Sequence, residues 1–342
     1  MGSSKRATLD ESFFKKFGAD RKEIERVTKK YPMKVTPYYL SLIKKRDDPI
    51  WKQSIPNPIE LEDTRNVEDP LQEEHHTKVP YLVHKYPDRA LLLVSSTCAM
   101  YCRFCTRKRK VGRIKQIPME DIFKAIQYIK KHKEVRDVIV SGGDPLMRKD
   151  SELEKILKEL RSIPHVEIIR IGTRVPCVLP SRITKRTVNM IKKYSPIYMN
   201  IHFNHPSEIT PESSKACNML ADAGILLGSQ TVLLKGINDD VKTIKELMHK
   251  LLMMRVKPYY VYQCDLVKGV EHFRTDVRVA IKIMKGLQGF TSGLAIPHFV
   301  IDSSGGGKVP IYPHYIQSIS EDKVVIKNYL DNTYEYPNPK KK

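Results

Sequence analysis

The apolar run Ala90-Leu-Leu-Leu-Val94 and the segment Cys98-Ala-Met-Tyr-Cys102-Arg-Phe-Cys105 carry the strongest structural signal in this 342-residue sequence. The apolar run predicts a buried strand, and three cysteines follow it at the spacing C-x3-C-x2-C. Three thiolates on one short loop suit a soft metal or a metal cluster. They leave one coordination position open, which a catalytic site needs. The alternatives are a structural zinc site with a fourth ligand, for example His84, and a [4Fe–4S] cluster with one unprotected iron.

The composition argues against several other classes of protein. The 60 Lys and Arg residues exceed the 39 Asp and Glu residues, for a formal net charge of +21. The two signs are interspersed, as in Lys22–Lys30 and Glu152–Arg161, which favours a solvated surface over a nucleic-acid-binding one. No apolar run approaches the roughly 18 residues that span a bilayer. The remaining cysteines are scattered singly, unlike a disulfide framework. We therefore predict a cytoplasmic protein without a membrane or nucleic-acid partner.

Apolar strands alternate with amphipathic helices through the middle of the chain. Such alternation predicts a parallel sheet with right-handed crossovers. We expect an α/β fold, an incomplete (β/α)6 TIM-like barrel spanning 86–290, with an N-terminal helical arm (1–85) and a C-terminal extension with a hairpin (291–342). The six candidate strands are Leu91–Val94, Asp137–Ser141, Val166–Ile171, Ile197–His202, Leu226–Leu234 and Tyr259–Cys264.

Polar residues follow these strands at their carboxyl ends, where the functional loops of such barrels lie. Gly142-Gly143-Asp144 follows the second strand, Arg174 the third and Asp265 the sixth, and His202 ends the fourth. Two glycines after a strand let the backbone approach a ligand closely, although an ordinary tight turn has the same pattern.

The segment Gly305-Gly-Gly-Lys308 lacks the G-x4-G-K-[S/T] pattern of a phosphate-binding loop and precedes no helix. One interpretation is a flexible loop with a surface lysine. The other is a lysine that forms a Schiff base with pyridoxal phosphate, reachable because its neighbours have no side chains. A lysine partly removed from water has a lowered pKa and is a better nucleophile.

The cysteine spacing, with an aromatic residue before the last cysteine, resembles the signature of radical S-adenosylmethionine enzymes. Together with the glycine–lysine segment, the chain from about Pro37 to Pro310 resembles the lysine 2,3-aminomutase family. That resemblance implies an isomerase that interconverts L-lysine and β-lysine by 1,2-amino migration. The matching blocks are Pro37–Ile43, Tyr86–Arg89, Tyr101–Arg107, Ser141–Leu146, Arg170–Arg174, His202–Pro206, Leu220–Gly224 and Glu271–Thr275.

The same resemblance implies three cofactors and the residues that hold them. The cofactors are a [4Fe–4S] cluster, S-adenosylmethionine and pyridoxal phosphate. The implied residues are Cys98, Cys102 and Cys105 for the cluster, Gly142, Gly143, Asp144, Arg174, His202 and Gln230 for S-adenosylmethionine, and the catalytic Lys308 with Lys85, Tyr86 and Arg89 for pyridoxal phosphate.

For the substrate, the resemblance implies that Arg107 binds the α-carboxylate and that Asp265 and Asp302 hold the ε-ammonium of lysine. Each aspartate alone also fits an ordinary turn. Glutamate-specific relatives would have Lys and Asn at these two positions, and two carboxylates would repel a glutamate side chain. Another amino acid substrate, or supply of β-lysine for modification of a translation factor, stays open.

The chain also departs from the family pattern. Lys85 stands where Arg is usual, Ser304 stands where Pro is usual, and the glycine segment is one residue shorter than expected. No cysteine follows Cys264, and Asp240 replaces the internal cysteine of zinc-binding members, so we predict no zinc. A reductant protein such as a flavodoxin or ferredoxin is implied, and a homo-oligomer stays open. A zinc- or cluster-stabilised RNA-binding protein is the rival class, but no basic stripe supports it.

Overall fold

The computed structural model describes residues 9–113, 116–304 and 306–337. Within these ranges the helices α1 to α11 are Glu11–Phe17, Arg21–Lys30, Pro37–Ser41, Pro49–Ser54, Met119–Lys131, Asp150–Arg161, Val175–Val178, Lys185–Lys192, Pro211–Asp222, Val241–Met253 and Val277–Leu287. The strands β1 to β13 are Thr77–Val79, Leu82–Tyr86, Arg89–Ser95, Asp137–Gly142, Ile168–Thr173, Ile197–His202, Leu226–Leu233, Lys257–Gln263, His298–Ser303, Gly307–Pro310, Ile316–Ile319, Lys323–Lys327 and Thr333–Pro337. Gly305, the first glycine of the predicted lysine loop, lies outside the described residues.

The main sheet contains strands β1 to β10 in chain order. Strands β3 to β9 are parallel, while β1 and β2 at one edge and β10 at the other are antiparallel to their neighbours. Each of β3 to β8 is followed by at least one helix, so the predicted β/α alternation is present. The predicted α/β fold with a central parallel sheet is confirmed. Strand β9 pairs in parallel with β8 and adds a seventh parallel strand to the six predicted.

Side chains bridge the two ends of this sheet. The Tyr86 hydroxyl on β2 accepts a hydrogen bond from the backbone N–H of Lys308 on β10 at 2.9 Å, and Lys85 Nζ lies 3.8 Å from Asp302 Oδ1. In a flat sheet with strands about 4.8 Å apart, β2 and β10 would be about 38 Å apart. The sheet is therefore curled around an interior, consistent with a partial barrel. No strand pairing joins β10 to β1 among the described residues.

Alternating side chains on the strands separate the core from this interior. On β4, Val138 and Val140 are fully buried in the main hydrophobic core, whereas Ile139 and Ser141 line a central cavity. The helices close the outer layer with apolar faces at helical spacing, for example Ile122, Ala125, Ile126 and Ile129 on α5. The apolar core thus lies between sheet and helices, and the inner face of the sheet is left for a site.

The N-terminal segment forms four short helices, and Asp10 and Asp20 are the N-caps of α1 and α2. Phe13 of α1 stacks on Trp51 of α4, with ring centroids 5.4 Å apart. The expected boundary at 85/86 falls inside β2, which pairs with β3, and the one at 290/291 follows α11. The division into three domains stays a prediction.

The C-terminal residues form a second sheet of strands β11, β12 and β13. The predicted hairpin is present as β11 and β12, joined through Glu321 and Asp322, and β13 adds a strand that the sequence analysis missed. Among the described helices, none combines the length and the apolar character needed to cross a bilayer.

Candidate active site

A cavity of about 500 Å³ occupies the interior of the curled sheet. The residues predicted to hold the cluster, S-adenosylmethionine, pyridoxal phosphate and the substrate are spread over more than 200 positions of the chain, and the fold brings all of them to the wall of this one cavity. Their shared location supports the assignment as a set, while each individual role stays a prediction. The residues are Lys85, Tyr86, Arg89, Cys98, Cys102, Cys105, Arg107, Gly142, Gly143, Asp144, Arg174, His202, Gln230, Asp265, Asp302 and Lys308.

The three cysteines of the loop after β3 face this cavity together. Burial raises the pKa of the Cys98 and Cys105 thiols, that of Cys105 to about 11, so binding a metal would release protons from them. In the part of the chain that the structure describes, no three Cys, His, Asp or Glu side chains form a preassembled metal cage. The donor set nevertheless fits an iron–sulfur cluster, because three soft thiols share one wall and a guanidinium N–H of Arg174 donates to Cys102 Sγ.

A buried charge cluster anchors the cysteine loop to the N-terminal arm. Arg103, between two of the cysteines, donates from Nε to Glu60 Oε1 at 3.0 Å, and Lys108 Nζ donates to Glu60 Oε2 at 2.7 Å. Burial disfavours the charge on Glu60, but the two cations hold the pKa of Glu60 below its ordinary value. Removing one member of such a buried set leaves an uncompensated charge, which costs about 3–5 kcal/mol. These residues were not predicted, because no sequence pattern indicates that Glu60 and Arg103 are in contact.

The two glycines at the end of β4, Gly142 and Gly143, are required by close packing against the end of β3 and the loop that follows it. Gly142 has φ +127°, and a Cβ atom there would lie 2.3 Å from the Ser95 carbonyl oxygen. A Cβ atom on Gly143 would lie 2.5 Å from the Thr97 carbonyl oxygen. Any larger residue would displace the backbone that leads into Cys98. The glycine pair therefore shapes the cysteine loop, as well as lining the cavity.

Asp144 is held by its neighbours. Its carboxylate accepts from the Thr173 hydroxyl at 2.8 and 2.9 Å and from the Arg174 backbone N–H at 2.8 Å, and burial raises its pKa to about 6. These bonds tie the end of β4 to the end of β5. A contact between this carboxylate and the ammonium of S-adenosylmethionine stays a prediction.

His202 and Gln230 stand side by side, since β6 and β7 pair them directly. Burial and the neighbouring Arg174 lower the pKa of His202 to about 3, so the imidazole is neutral. Its Nε2 lies 3.1 Å from Asn204 Oδ1, an oxygen that also accepts from the Val232 backbone N–H at 2.9 Å. Because that oxygen is an acceptor, His202 donates from Nε2 and keeps Nδ1 as an acceptor.

Lys308 lies directly opposite Asp302 in the β9–β10 pair, and its Nζ donates to Asp302 Oδ2 at 2.8 Å. Its side chain is one-third exposed and lines the cavity, which favours the catalytic interpretation over a lysine on a flexible surface loop. Gly307, with φ +75°, brings the backbone against Tyr86: a Cβ atom would lie 2.7 Å from the Tyr86 hydroxyl oxygen. The glycine next to Lys308 thus permits the contact between the two sheet edges.

Lys85 provides a test of the fit to pyridoxal phosphate. Its Nζ is buried and has no hydrogen-bond partner among the described residues, although Asp302 Oδ1 is 3.8 Å away. A buried ammonium with open donors facing a cavity suits a phosphate group. Arg89 lies nearby with its guanidinium 4.0 Å from the centre of the Tyr86 ring. The residues present therefore fit a phosphorylated cofactor at this edge of the cavity.

Arg107 and Glu73 form an ion pair at the cavity wall. Arg107 donates from Nε at 2.9 Å and from Nη2 at 2.6 Å to Glu73 Oε1, and its Nη1 lies 3.4 Å from the Gly142 carbonyl oxygen. Glu73 thus holds one edge of the guanidinium, which leaves the Nη1–Nη2 edge as the one that could receive a carboxylate. Glu73 was not predicted, because one acidic residue in an irregular segment has no distinctive sequence signal.

Asp265 lines the cavity, and its Oδ2 accepts a hydrogen bond at 2.7 Å from the hydroxyl of Thr106, the residue before Arg107. Burial raises the pKa of Asp265 to about 6, and the Asp302 carboxylate contributes to the rise. The two carboxylates are therefore near enough to interact through space.

Comparison with known proteins agrees with this arrangement. Residues 92–248 match the model of the radical SAM superfamily, and residues 284–342 match the model described as lysine-2,3-aminomutase. L-lysine 2,3-aminomutase of Clostridium subterminale is 53% identical over 321 residues, which cover 92% of this chain and 77% of that protein. The chain belongs to the lysine 2,3-aminomutase family. The predicted resemblance and the isomerase class are thereby confirmed.

Two further relatives differ in the substrate that their names give. L-lysine 2,3-aminomutase of Fusobacterium nucleatum is 55% identical over 312 residues, 90% of this chain and 73% of that protein. Glutamate 2,3-aminomutase of Clostridioides difficile is 46% identical over 314 residues, 91% of this chain and 74% of that protein. Membership confirms the predicted [4Fe–4S] cluster, S-adenosylmethionine and pyridoxal phosphate as cofactors. Overall identity separates the two substrates poorly, so the substrate has to be argued from the cavity.

Proposed function

We propose that this enzyme interconverts L-lysine and β-lysine by moving the α-amino group to the β-carbon. The observation that carries the proposal is the presence of Asp265 and Asp302 together in the wall of the cavity that also contains Lys308 and the three cysteines. Two carboxylates in a largely buried site attract an ammonium and repel a carboxylate. They suit the ε-ammonium of lysine and oppose the γ-carboxylate of glutamate.

Asp302 already binds a primary ammonium, that of Lys308, at 2.8 Å. The ε-ammonium of free lysine is the same chemical group. Attachment of pyridoxal phosphate to Lys308 Nζ would remove this ammonium from Asp302 before the substrate binds. The Lys308–Asp302 contact therefore supports an ammonium-binding role for Asp302.

Arg107 supports the other end of the same substrate. Its Nη1–Nη2 edge would take the α-carboxylate while Glu73 holds the adjacent Nε–Nη2 edge. The neighbouring Thr106 binds Asp265, so one short segment connects the carboxylate-binding residue with an ammonium-binding residue. Such a rigid connection would set the distance between the two charged ends and favour one side-chain length.

When bound, the cluster with S-adenosylmethionine would supply the radical chemistry at the β-carbon, and pyridoxal phosphate would supply electronic stabilisation for migration of the nitrogen. Cys98, Cys102 and Cys105 would hold the cluster, and Lys308, Lys85, Tyr86 and Arg89 would hold pyridoxal phosphate. The neutral His202 would accept a hydrogen bond at Nδ1 from S-adenosylmethionine. The protein's task is to position reacting atoms and exclude water inside the curled sheet.

We infer that the six β/α units form the incomplete barrel predicted from the sequence.

We also infer where the enzyme works and what reduces it. The six cysteines are all free, which suits the reducing cytoplasm. A one-electron donor of the flavodoxin or ferredoxin type would reduce the cluster.

Asp265→Asn and Asp302→Asn are each expected to lower kcat/KM for lysine about 100-fold, mainly through KM, because loss of one charge from a desolvated pair costs about 3 kcal/mol. The measurement is steady-state β-lysine formation under anaerobic conditions, with glutamate as the competing substrate. Asp276→Asn is the matched control, since it makes the same change at the exposed N-cap of α11. Unchanged kinetics in both cavity variants, or preference of the unmodified enzyme for glutamate, would contradict the lysine assignment.

Lysine use should also depend on pH. Burial raises the pKa of Asp265 to about 6, so the carboxyl group is protonated below this pH and loses its attraction for the ε-ammonium. We expect kcat/KM for lysine to fall as the pH drops through about 6 and this limb to disappear in Asp265→Asn. Iron content is measured at each pH to separate this effect from cluster loss. An identical acid limb in the variant would show that another group is responsible.

A further inference from the structure

Arg174 connects the cysteine loop to a buried network that includes the N-terminal arm. Its Nη1 donates to Cys102 Sγ at 2.8 Å, while its Nη2 donates to Glu208 Oε1 and to Gln53 Oε1, both at 2.7 Å. Tyr39 donates its hydroxyl to the same Glu208 oxygen at 2.6 Å. Glu208, Gln53 and Tyr39 are completely buried, so the guanidinium is fixed on the side away from the cysteine.

The arrangement aims one N–H at the sulfur atom. The Glu208 carboxylate is held in turn by the backbone N–H groups of Asn204 and His205, and the Gln53 carbonyl oxygen also accepts from the Asn204 side chain at 2.9 Å. If Arg174 served only to neutralise the charge of Glu208, its hydrogen bond to Gln53 would not be needed. With Gln53 and Glu208 both bonded to Nη2, the guanidinium plane is set, and Nη1 is directed toward Cys102.

We propose that Arg174 is a positioning residue that raises the reduction potential of the cluster by donating a hydrogen bond to the Cys102 sulfur. Hydrogen bonds to cluster sulfurs are one of the means by which a protein sets cluster potential. The electron added on reduction increases negative charge on the thiolate ligands, so an N–H···S bond strengthens in the reduced state. The proposal goes beyond the proposed substrate and rests on Cys102 being a cluster ligand.

The inference also gives the N-terminal arm a function. Tyr39 on α3 and Gln53 on α4 precede the segment that matches the radical SAM superfamily, yet both hold the arginine that contacts a cysteine of the loop. Helices α3 and α4 would thus contribute to the electronic properties of the cluster as well as to the core.

Arg174→Lys is the test variant, because a lysine keeps the positive charge beside Glu208 and removes the forked donor that reaches Cys102. The purified, reconstituted protein is first analysed for iron and sulfide. The cluster is then titrated at controlled potentials, without substrate, and the reduced form is followed by its electron paramagnetic resonance signal. Arg182→Lys is the matched control, since Arg182 donates to Asp150 and does not line the cavity.

We expect the ratio of reduced to oxidised cluster at a fixed potential to fall roughly five- to tenfold in Arg174→Lys, about the net effect of one typical hydrogen bond. Arg182→Lys should titrate like the unmodified protein. An unchanged potential in an Arg174→Lys protein with full iron content would overturn the proposal. If neither the unmodified protein nor the variants took up iron, the assignment of the cysteines to a cluster would be contradicted. The iron analysis distinguishes this outcome from a changed reduction potential.

A second measurement uses the unmodified enzyme, so that it does not depend on the stability of a variant. Protein labelled with ¹⁵N in its arginine guanidinium groups is reduced and examined by pulsed electron paramagnetic resonance. We expect a ¹⁵N hyperfine coupling to the reduced cluster, because one labelled N–H lies on a ligand sulfur. Absence of this coupling would overturn the proposal even if the Arg174→Lys protein proved unstable.

Discussion

Lys308→Ala is expected to abolish covalent attachment of pyridoxal phosphate and to reduce β-lysine formation by about 10⁴-fold or more, the scale seen when a covalent catalytic group is removed. The iron content should stay unchanged, because Lys308 lies on β10 and the cysteines follow β3. The measurement combines cofactor absorbance with borohydride reduction and mass analysis of the labelled peptide.

Lys323→Ala is the matched control for this variant. Lys323 forms an exposed ion pair with Glu335 in the C-terminal sheet, and it does not line the cavity. The control should keep borohydride-reducible cofactor and activity. Borohydride-stable cofactor on another lysine of the Lys308→Ala protein would refute the assignment of Lys308.

Cys98→Ala is expected to abolish cleavage of S-adenosylmethionine, because two cysteines cannot hold the cluster with one iron open to the cofactor. We expect 5′-deoxyadenosine formation to fall below detection and iron content to fall with it. Both are measured after anaerobic reconstitution with a strong reductant, which removes dependence on a protein electron donor.

Cys217→Ala makes the same chemical change at a buried cysteine on α9, outside the cavity. It should retain iron and cleavage activity, with only a small loss of stability for a truncated core side chain. A Cys98→Ala protein that still produced 5′-deoxyadenosine would remove Cys98 from the proposed cluster ligands.

Local sequence patterns predicted the parts of the fold that depend on short-range chemistry. The six strands predicted in the Sequence analysis were found within about two residues of their expected positions. Strands β1 and β2 were not predicted, because they are short and Pro80 lies between them. They belong to the sheet because β2 pairs with β3 and β1 pairs with β2. Strand β13 was missed for a similar reason, since it is exposed along its length and follows no buried pattern.

In the candidate site, too, residues with a local sequence pattern were predicted and residues that depend on distant contacts were not. Cysteines, glycine pairs and the aspartates at strand ends have sequence patterns that connect them to chemistry. Glu60, Glu73 and Glu208 have none, although each fixes an arginine of the site through a buried ion pair. Their partners are 34 to 43 residues away in the chain, and only the folded arrangement brings them together. Residues that position others are therefore harder to predict than residues that touch ligands.

The most direct test of the account follows the nitrogen atom itself. The anaerobically reconstituted enzyme is supplied with S-adenosylmethionine, pyridoxal phosphate, a reductant and L-lysine carrying ¹⁵N only at its α-amino group. We expect β-lysine that retains the label, now on the β-carbon, and no corresponding product from glutamate. Formation of β-glutamate in preference to β-lysine, or β-lysine that has lost the label to solvent ammonia, would contradict the proposed intramolecular migration on lysine.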